Sequence, residues 1–222
     1  MVRGELGARL LLTSRRPQVP APGVAVRPGR PTDLAAAELV FDAAGDAYAQ
    51  LAGSEERARR IVSTMWARPG HSASFEHALV AEIDGEVAGV MIGFPARERY
   101  ALHRRLLLGS MRHLSPTRWP LLIAGLPLMV LASPRPPRDA YYVGTIAVAR
   151  HARRRGVGST LGYRAEVHAH ECGFPLIVAH TGTRHAVARR ALEVYGLTLR
   201  KARRHGYALY AKRVFAKHSS GG

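Results

Sequence analysis

The stretch that decides the fold lies in the second half of the chain and reads Tyr142-Val-Gly-Thr-Ile-Ala-Val148, four connecting residues, then Arg153-Arg-Arg-Gly-Val-Gly158-Ser-Thr-Leu161. Its first part is rich in β-branched and aromatic residues and predicts a strand. Its second part predicts a Gly-containing loop that opens a helix. The unpaired N–H groups of a helix N-terminus point at one spot, and the helix dipole adds partial positive charge there. The stretch therefore predicts a site for a phosphate or pyrophosphate group.

Two common phosphate-binding motifs do not fit this stretch. A P-loop requires a lysine after its second glycine, whereas Gly158 is followed by serine and threonine. A dinucleotide-binding fingerprint requires glycine or alanine where Leu161 stands, and it belongs to the first strand–helix unit of a domain. What remains is Arg-x-x-Gly-x-Gly on a strand–loop–helix unit late in the chain.

This pattern, preceded by Ile146-Ala-Val148 and followed by a later helix that ends in Tyr195-Gly196-Leu197, resembles the GNAT family of N-acetyltransferases. The resemblance covers residues 24–212 and implies an α/β fold. In that fold a mixed, mostly antiparallel twisted sheet carries helices on both faces, and the motif strand is parallel to the next strand but splayed from it to admit acetyl-CoA. The implied reaction is direct transfer of the acetyl group to a small-molecule or protein amine in a ternary complex.

The sequence on either side predicts the element order of that family. Asp33 stands at the predicted N-cap of the first helix, and Asp84-Gly85 predicts a tight hairpin turn. Apolar residues at helical or alternating spacing indicate the other elements. The predicted strands are 24–27, 78–83, 86–94, 141–148, 176–179, 197–199 and 207–212, and the predicted helices are 33–44, 55–66, 159–171 and 186–195.

The domain is expected to occupy residues 24–214, between a Pro-rich disordered leader at 1–23 and a disordered tail at 215–222. Residues 98–137 depart from the family order and predict a helical insertion on the acceptor side. The apolar run Leu121–Leu131 suits a helical hairpin, which we favour; the lining of an acceptor pocket and a homodimer contact are alternatives. A membrane-spanning helix takes about 20 apolar residues, more than this run supplies, so no transmembrane segment is expected.

The resemblance implies the acetyl-CoA contacts residue by residue. Backbone groups of the motif strand pair with the pantetheine arm, and one of its N–H groups, from Ala147 or Val148, stabilises the oxyanion. Loop amides hold the pyrophosphate, arginine side chains add cationic contacts, and Ser159 or Thr160 adds a hydroxyl. The implied cofactor-binding residues are Ile146, Ala147, Val148, Arg153, Arg154, Arg155, Gly156, Val157, Gly158, Ser159, Thr160 and His185.

The catalytic residues are less well defined. Family members often have an asparagine and a tyrosine on the penultimate helix, the tyrosine serving as general acid, and these places fall on His185 and Leu192. Tyr195, one turn later, either replaces that tyrosine or belongs to the core. An amine must also lose a proton before it attacks, because its pKa is about 10.4. The candidates for a general base are Glu76, Asp139 and Tyr142, with a water chain as the alternative.

Two further functions stay open, one suggested by composition and one by Leu192 in the usual tyrosine position. A formal charge of +17 would attract polyanions, so a basic nucleic-acid-binding protein is one alternative. The Arg-rich tract 200–204 lies in a predicted turn without interleaved aromatic residues, however, and we expect no nucleic-acid partner. A non-catalytic acyl-CoA-binding protein of the same fold is the other alternative. His168 and His170 do not share a helix face, so no metal is expected. The single cysteine, Cys172, fits a cytoplasmic protein.

Overall fold

The computed structural model describes residues 20–204 and 206–214, without the side chains of residues 44–47, 122, 126 and 128–130. Most of the predicted leader and the whole predicted tail therefore lie outside the described residues. The strands are β1 (Ala25–Pro28), β2 (Ala78–Ile83), β3 (Glu86–Pro95), β4 (Ala140–Val148), β5 (Leu176–Gly182), β6 (Thr198–Ala202) and β7 (Tyr207–Arg213). The α-helices are α1 (Leu34–Ala52), α2 (Glu55–Trp66), α3 (Arg99–Met111), α4 (Trp119–Ala132), α5 (Val157–Glu171) and α6 (Ala186–Val194).

The seven described strands form one sheet in the order β1-β2-β3-β4-β5-β7-β6. Neighbouring strands are antiparallel except for β4 and β5, which are parallel. Helices cover both faces of the sheet. Successive residues of a strand point to opposite faces, and the strands have apolar residues on each face. Tyr142 packs with Phe94 and Val178 on the face that carries α1 and α2. Tyr141 and Val143 pack on the opposite face with α5. The predicted mixed α/β fold class is confirmed.

The strands β4 and β5 separate halfway along their length. Their pairing runs from Ala140–Leu176 to Val143–Ala179, although β4 stays on β3 as far as Val148. The β3–β4 register shifts between Ile92, opposite Thr145, and Gly93, opposite Val143, so Gly144 is an extra residue in β4. Such a bulge bends its strand. The bulge at Gly144 thus opens the sheet at the point where the predicted splay begins.

The first helix begins after its predicted N-cap residue but ends later than predicted. It was expected to end near residue 44 but continues to Ala52, because Tyr48 and Leu51 pack against the core beyond Gly45. Burial of two large side chains outweighs the cost of about 1 kcal/mol for a glycine inside a helix. At the other end, Asp33 occupies the N-cap position, but its side chain makes no capping hydrogen bond.

Asp33 binds arginine instead of capping the helix. Its carboxylate accepts hydrogen bonds from the Arg27 guanidinium at 2.7 and 2.9 Å and from the backbone N–H of Arg30 at 2.7 Å. The Arg27 hydrogen bonds lower the pKa of this carboxyl group. Arg27 also pairs with Glu82 on β2. Asp33 is thus the N-cap residue, as predicted, but its carboxylate binds Arg27 because β1 brings a stronger, charged donor to it.

The segment 98–137 consists largely of α3 and α4, which pack against each other. Leu102 on α3 and Leu114 after it enter the core below α1 and α2. In contrast, α4 exposes large apolar side chains to solvent, namely Trp119, Leu121, Ile123 and Leu131. Among the described residues, no helix combines the length and the apolar character that a membrane span needs. The homodimer alternative stays a prediction.

Candidate functional site

The loop between β4 and α5 has the backbone of an anion site. Arg154 and Gly156 both adopt the left-handed region, with φ of 64° and 80°, which turns the chain sharply into the helix. Gly156 is the N-cap of α5, and the helix begins at Val157. The N–H of Thr160 already bonds the Gly156 carbonyl, at 2.9 Å. The N–H groups of residues 157–159 precede the first intrahelical bond and are left to bind an anion.

The side chains of this loop divide into exposed and buried groups. Arg153, Arg154 and Arg155 are exposed around the helix N-terminus, where their positive charge adds to the helix dipole. Ser159 is half-buried in the first turn. Thr160 is only 1% exposed, and its hydroxyl donates to the Gly156 carbonyl at 3.0 Å. Ser159 and Thr160 were the two hydroxyls predicted to contact the phosphate. The Thr160 hydroxyl is buried inside the protein, whereas the Ser159 side chain lies at the surface.

The chain before β1 lies against this helix end. The backbone N–H of Ala21 donates to the Thr160 hydroxyl at 2.9 Å, and the Ala21 side chain packs close to Gly156. Residues 20–23, which belong to the predicted leader, are described by the structure, and a buried threonine hydroxyl supplies their backbone with a hydrogen-bond acceptor. Residues 1–19 lie outside the described residues.

On the α5 face, a narrow cleft of about 40 Å³ follows the opening between β4 and β5. Ile146, Leu192 and Tyr195 line it. The Tyr195 ring packs on Gly162, and its hydroxyl lies against Gly158. Burial raises the pKa of Tyr195, so its hydroxyl stays protonated at neutral pH. Tyr195 thus packs against the first turns of α5 and supports them.

On the opposite face, a larger cavity of about 420 Å³ reaches the same opening. Gly144 and Thr145 of β4 and His180 of β5 form its inner end. The cavity has the size and the mainly apolar lining of a small-molecule site. Its apolar walls come from the first four helices and β3, and include Leu51, Ile61, Phe94, Leu106, Leu107 and Leu114.

A polar cluster lies at the inner end of this cavity. Arg99 is 9% exposed, and its guanidinium carbon lies 5.4 Å from the centroid of the Tyr142 ring. The Tyr142 ring also contacts His180, with ring centroids 5.6 Å apart. His103 Nδ1 lies 2.7 Å from the Ser72 hydroxyl oxygen. Burial, together with the Arg99 charge, lowers the pKa of His103 to about 4.

His180 lines the inner end of the cavity, and sequence reasoning missed it. It follows Ala179, the last residue of β5 that pairs with β4. Its Nε2 lies 2.7 Å from the Pro134 carbonyl oxygen, so Nε2 carries the hydrogen and Nδ1 keeps the lone pair. Nδ1 is buried, and no hydrogen-bond partner among the described residues reaches it. Burial, together with the Arg99 charge, lowers the pKa of His180 to about 4, so the ring is neutral at pH 7.

The structure separates the residues predicted as a general base. Tyr142 lies in the cavity, where burial raises its pKa against the opposing effect of the Arg99 charge. Glu76 accepts a hydrogen bond from the Gly70 N–H at 2.7 Å and holds a turn outside the cavity. Asp139 is exposed in the turn before β4, about 13 Å from Val143 at 3.3 Å per residue, at the end where β4 and β5 are still paired.

His185, a predicted cofactor contact, has a structural role, and the histidines do not form a metal site with other side chains among the described residues. His185 is the N-cap of α6, and its Nδ1 accepts a hydrogen bond from the Ala188 N–H at 3.1 Å. It therefore stabilises the helix in the place where the family often has asparagine. Within 20–204 and 206–214, no group of three or more His, Cys, Asp or Glu side chains is arranged to bind a metal ion.

Comparison with known proteins identifies the same fold. A model described as the acetyltransferase (GNAT) family matches residues 41–197. An acetyltransferase crystal structure is 22% identical, with a TM-score of 0.65, and the match covers 86% of this chain and 100% of that chain. An N-acetyltransferase from Staphylococcus aureus Mu50 is 18% identical over 85% of this chain and 100% of its own, with a TM-score of 0.65. SsHAT is 20% identical over 88% of this chain and 100% of its own, with a TM-score of 0.61. No curated protein matches in sequence.

Proposed function

The chain belongs to the acetyltransferase (GNAT) family, and we propose that it transfers the acetyl group of acetyl-CoA to an amine. The observation that carries the proposal is the opening between β4 and β5 beside the N-terminus of α5. An extended thioester fits such an opening, and its phosphates fit a helix N-terminus. In this proposal the thioester would extend from the N-terminus of α5 through the opening towards the large cavity.

The backbone supplies the cofactor contacts in this proposal. Beyond Val143, no described strand pairs with the edge of β4 that faces β5. Backbone groups of Ile146 and Val148 on that edge would pair with the pantetheine arm as an added strand does. The N–H groups of residues 157–159 would hold the pyrophosphate, with Arg154 and Arg155 as exposed cationic partners.

The acceptor amine would enter from the large cavity. An apolar, buried environment lowers the pKa of an amine, so the neutral nucleophile is favoured. Attack forms the C–N bond, and an N–H from Ala147 or Val148 would stabilise the oxyanion. The nitrogen becomes strongly acidic at that point, and neutral His180 Nδ1 can accept its proton. Breaking the C–S bond then releases the thiolate of CoA.

Tyr195 takes a supporting role in this proposal. Its hydroxyl lies against Gly158 in the first turn of α5, where the pyrophosphate is placed. The reacting thioester lies at the other end of the pantetheine arm. Tyr195 therefore supports the phosphate loop and does not protonate the leaving thiolate. A thiol with an ordinary pKa of about 8.5 is a fair leaving group without that proton.

The experiment that tests the cofactor site is calorimetric titration with acetyl-CoA. Ser159 stands in the first turn of α5, so Ser159→Glu places a carboxylate among the N–H groups that would bind phosphate, while Ser159→Gln has the same size without the charge. A glutamate there also suits the helix dipole, so folding is preserved. We expect Ser159→Glu to lose about 100-fold in affinity and Ser159→Gln less than about fivefold.

Two outcomes would contradict the proposal. Absence of acetyl-CoA binding by the unmodified protein would remove the cofactor. Binding without acetylation of any amine in a broad panel would favour the non-catalytic acyl-CoA-binding alternative. Gly158→Glu is a poorer probe, because any side chain at that position collides with Tyr195.

A further inference from the structure

The polar end of the large cavity contains a buried cation without an anionic partner. Arg99 is 9% exposed, and among the described residues no carboxylate lies within ion-pair distance of its guanidinium. A guanidinium carries five N–H donors, and the contacts of Arg99 with Tyr142 cannot satisfy them all. An unpaired buried charge is costly, so its retention points to a ligand that completes it.

The rest of the cavity makes an anionic ligand the matching one. The described residues that line it include no aspartate or glutamate, and Arg99 is the one side chain among them with a permanent charge. His103 and His180 are neutral at pH 7, since burial lowers the pKa of each to about 4. This end of the cavity therefore carries a positive charge. The guanidinium of Arg99 is planar and presents its N–H donors in a fork, a geometry that suits a carboxylate.

The position of Arg99 relates this charge to the reaction. Arg99 and His180 contact the same Tyr142 ring. A carboxylate bound to Arg99 would thus be separated from the proposed base, His180, by no more than the Tyr142 ring. It would also lie beside the opening of the sheet. The remaining walls are mainly apolar and include leucine, isoleucine and phenylalanine side chains from α1, α2, α3 and β3.

We propose that the acceptor is an apolar amine that also carries a carboxylate, which Arg99 binds, while the apolar part fills the cavity and the amine lies next to His180. The inference rests on the proposed acetyl transfer and names its acceptor class. A cavity of about 420 Å³ has room for an amino acid with a large apolar side chain.

The test uses direct binding of two probes that differ only in the anionic group. Calorimetric titration would compare 4-phenylbutyrate with its neutral amide, 4-phenylbutyramide, on the unmodified full-length protein. The variants are Arg99→Leu and, as a matched control, Arg97→Leu, whose side chain is 57% exposed and pairs with Glu98. Melting temperatures establish that each variant is folded.

We expect the acid to bind the unmodified protein and Arg97→Leu about 10- to 100-fold more tightly than the amide. In Arg99→Leu this preference should vanish, while the amide binds as before. Equal affinity for acid and amide in the unmodified protein would overturn the inference without any use of a variant. Loss of both probes in a folded Arg99→Leu protein, or no binding of either probe to the unmodified protein, would also overturn it.

A parallel titration with acetyl-CoA separates this inference from the proposed function. We expect all three proteins to bind acetyl-CoA equally, because Arg99 lies on the acceptor side. If acetyl-CoA binds and the acid shows no preference, only the acceptor class is wrong. If acetyl-CoA does not bind, the proposed function fails, whatever the acid does. With acetyl-CoA present, L-phenylalanine should be acetylated at least tenfold faster than its amide.

Discussion

The hydroxyl of Tyr195, just after α6, fills the space in which a β-carbon of residue 158 would stand. The next ring atom of Tyr195 lies 3.5 Å from that position, which is an ordinary van der Waals contact. The tyrosine hydroxyl therefore requires a glycine at position 158, in the first turn of α5.

Gly158→Ala should have opposite effects in two backgrounds. In the unmodified protein it forces Tyr195 away and should destabilise the fold by about 1–3 kcal/mol. In a Tyr195→Phe background the clash is gone, and the higher helix propensity of alanine should stabilise by about 0.5–1 kcal/mol. Chemical denaturation of the four proteins gives the double-mutant cycle. Additive effects would show that the two positions do not touch.

Tyr195→Phe alone tests the supporting role assigned to this residue. Because only packing and not proton transfer depends on Tyr195, kcat with any accepted amine should change by less than about threefold. A general acid contributes about 10²-fold or more. Steady-state kinetics therefore distinguish the two roles, and a loss of that size would make Tyr195 the proton donor.

His180→Gln tests the proposed base. Glutamine can still donate to the Pro134 carbonyl but has no nitrogen that accepts a proton. We expect kcat to fall about 10²- to 10⁴-fold and acetyl-CoA affinity to stay within about twofold. His151→Gln, at an exposed position in the β4–α5 connection, is the control. Full activity of His180→Gln would return the role to a water chain.

Arg99→Leu should make the protein more stable although it removes the proposed carboxylate site. Replacing a buried, unpaired charge by an apolar side chain removes its desolvation cost, for an expected gain of about 1–3 kcal/mol. Arg97→Leu, which is exposed, should change stability by less than about 0.5 kcal/mol. Urea denaturation without ligand measures both. Marked destabilisation by Arg99→Leu would mean that the guanidinium is a structural group.

Acidification should destabilise the fold through the two cavity histidines. The folded pKa of His103 and of His180 is lowered from 6.5 to about 4, so the unfolded chain binds more protons between pH 6.5 and pH 4. The groups around His103 are Arg99, Ser72, Phe94 and His180. The groups around His180 are Arg99, Tyr142 and Pro134. Their stability contribution is present above pH 6.5 and is lost as the pH falls.

The expected loss at pH 5 is about 1–2 kcal/mol for each histidine. Denaturation curves at pH 7.5 and pH 5 measure it. His103→Gln should reduce the acid sensitivity, and His151→Gln should leave it unchanged. Equal pH dependence in all three proteins would refute the assignment.

The sequence by itself determined the strand–loop–helix unit at residues 142–161 and the order of strands and helices around it. These features leave local signals: alternating or helical spacing of apolar residues, a glycine that needs a positive φ at 156, and an Asp-Gly hairpin turn. Each signal lies within a short window of the chain, so it can be read without knowledge of the fold.

Only the tertiary structure decided what surrounds that unit. Arg99, Tyr142 and His180 come from three distant segments, and nothing in their spacing indicates that they meet. The position of His180 directly after the predicted strand 176–179 was a signal for a functional residue, but the chain has eleven histidines and this signal does not single out one of them. Burial decides both the unpaired charge of Arg99 and the neutral state of His180. Burial is a property of the packed layers, which the order of residues does not display.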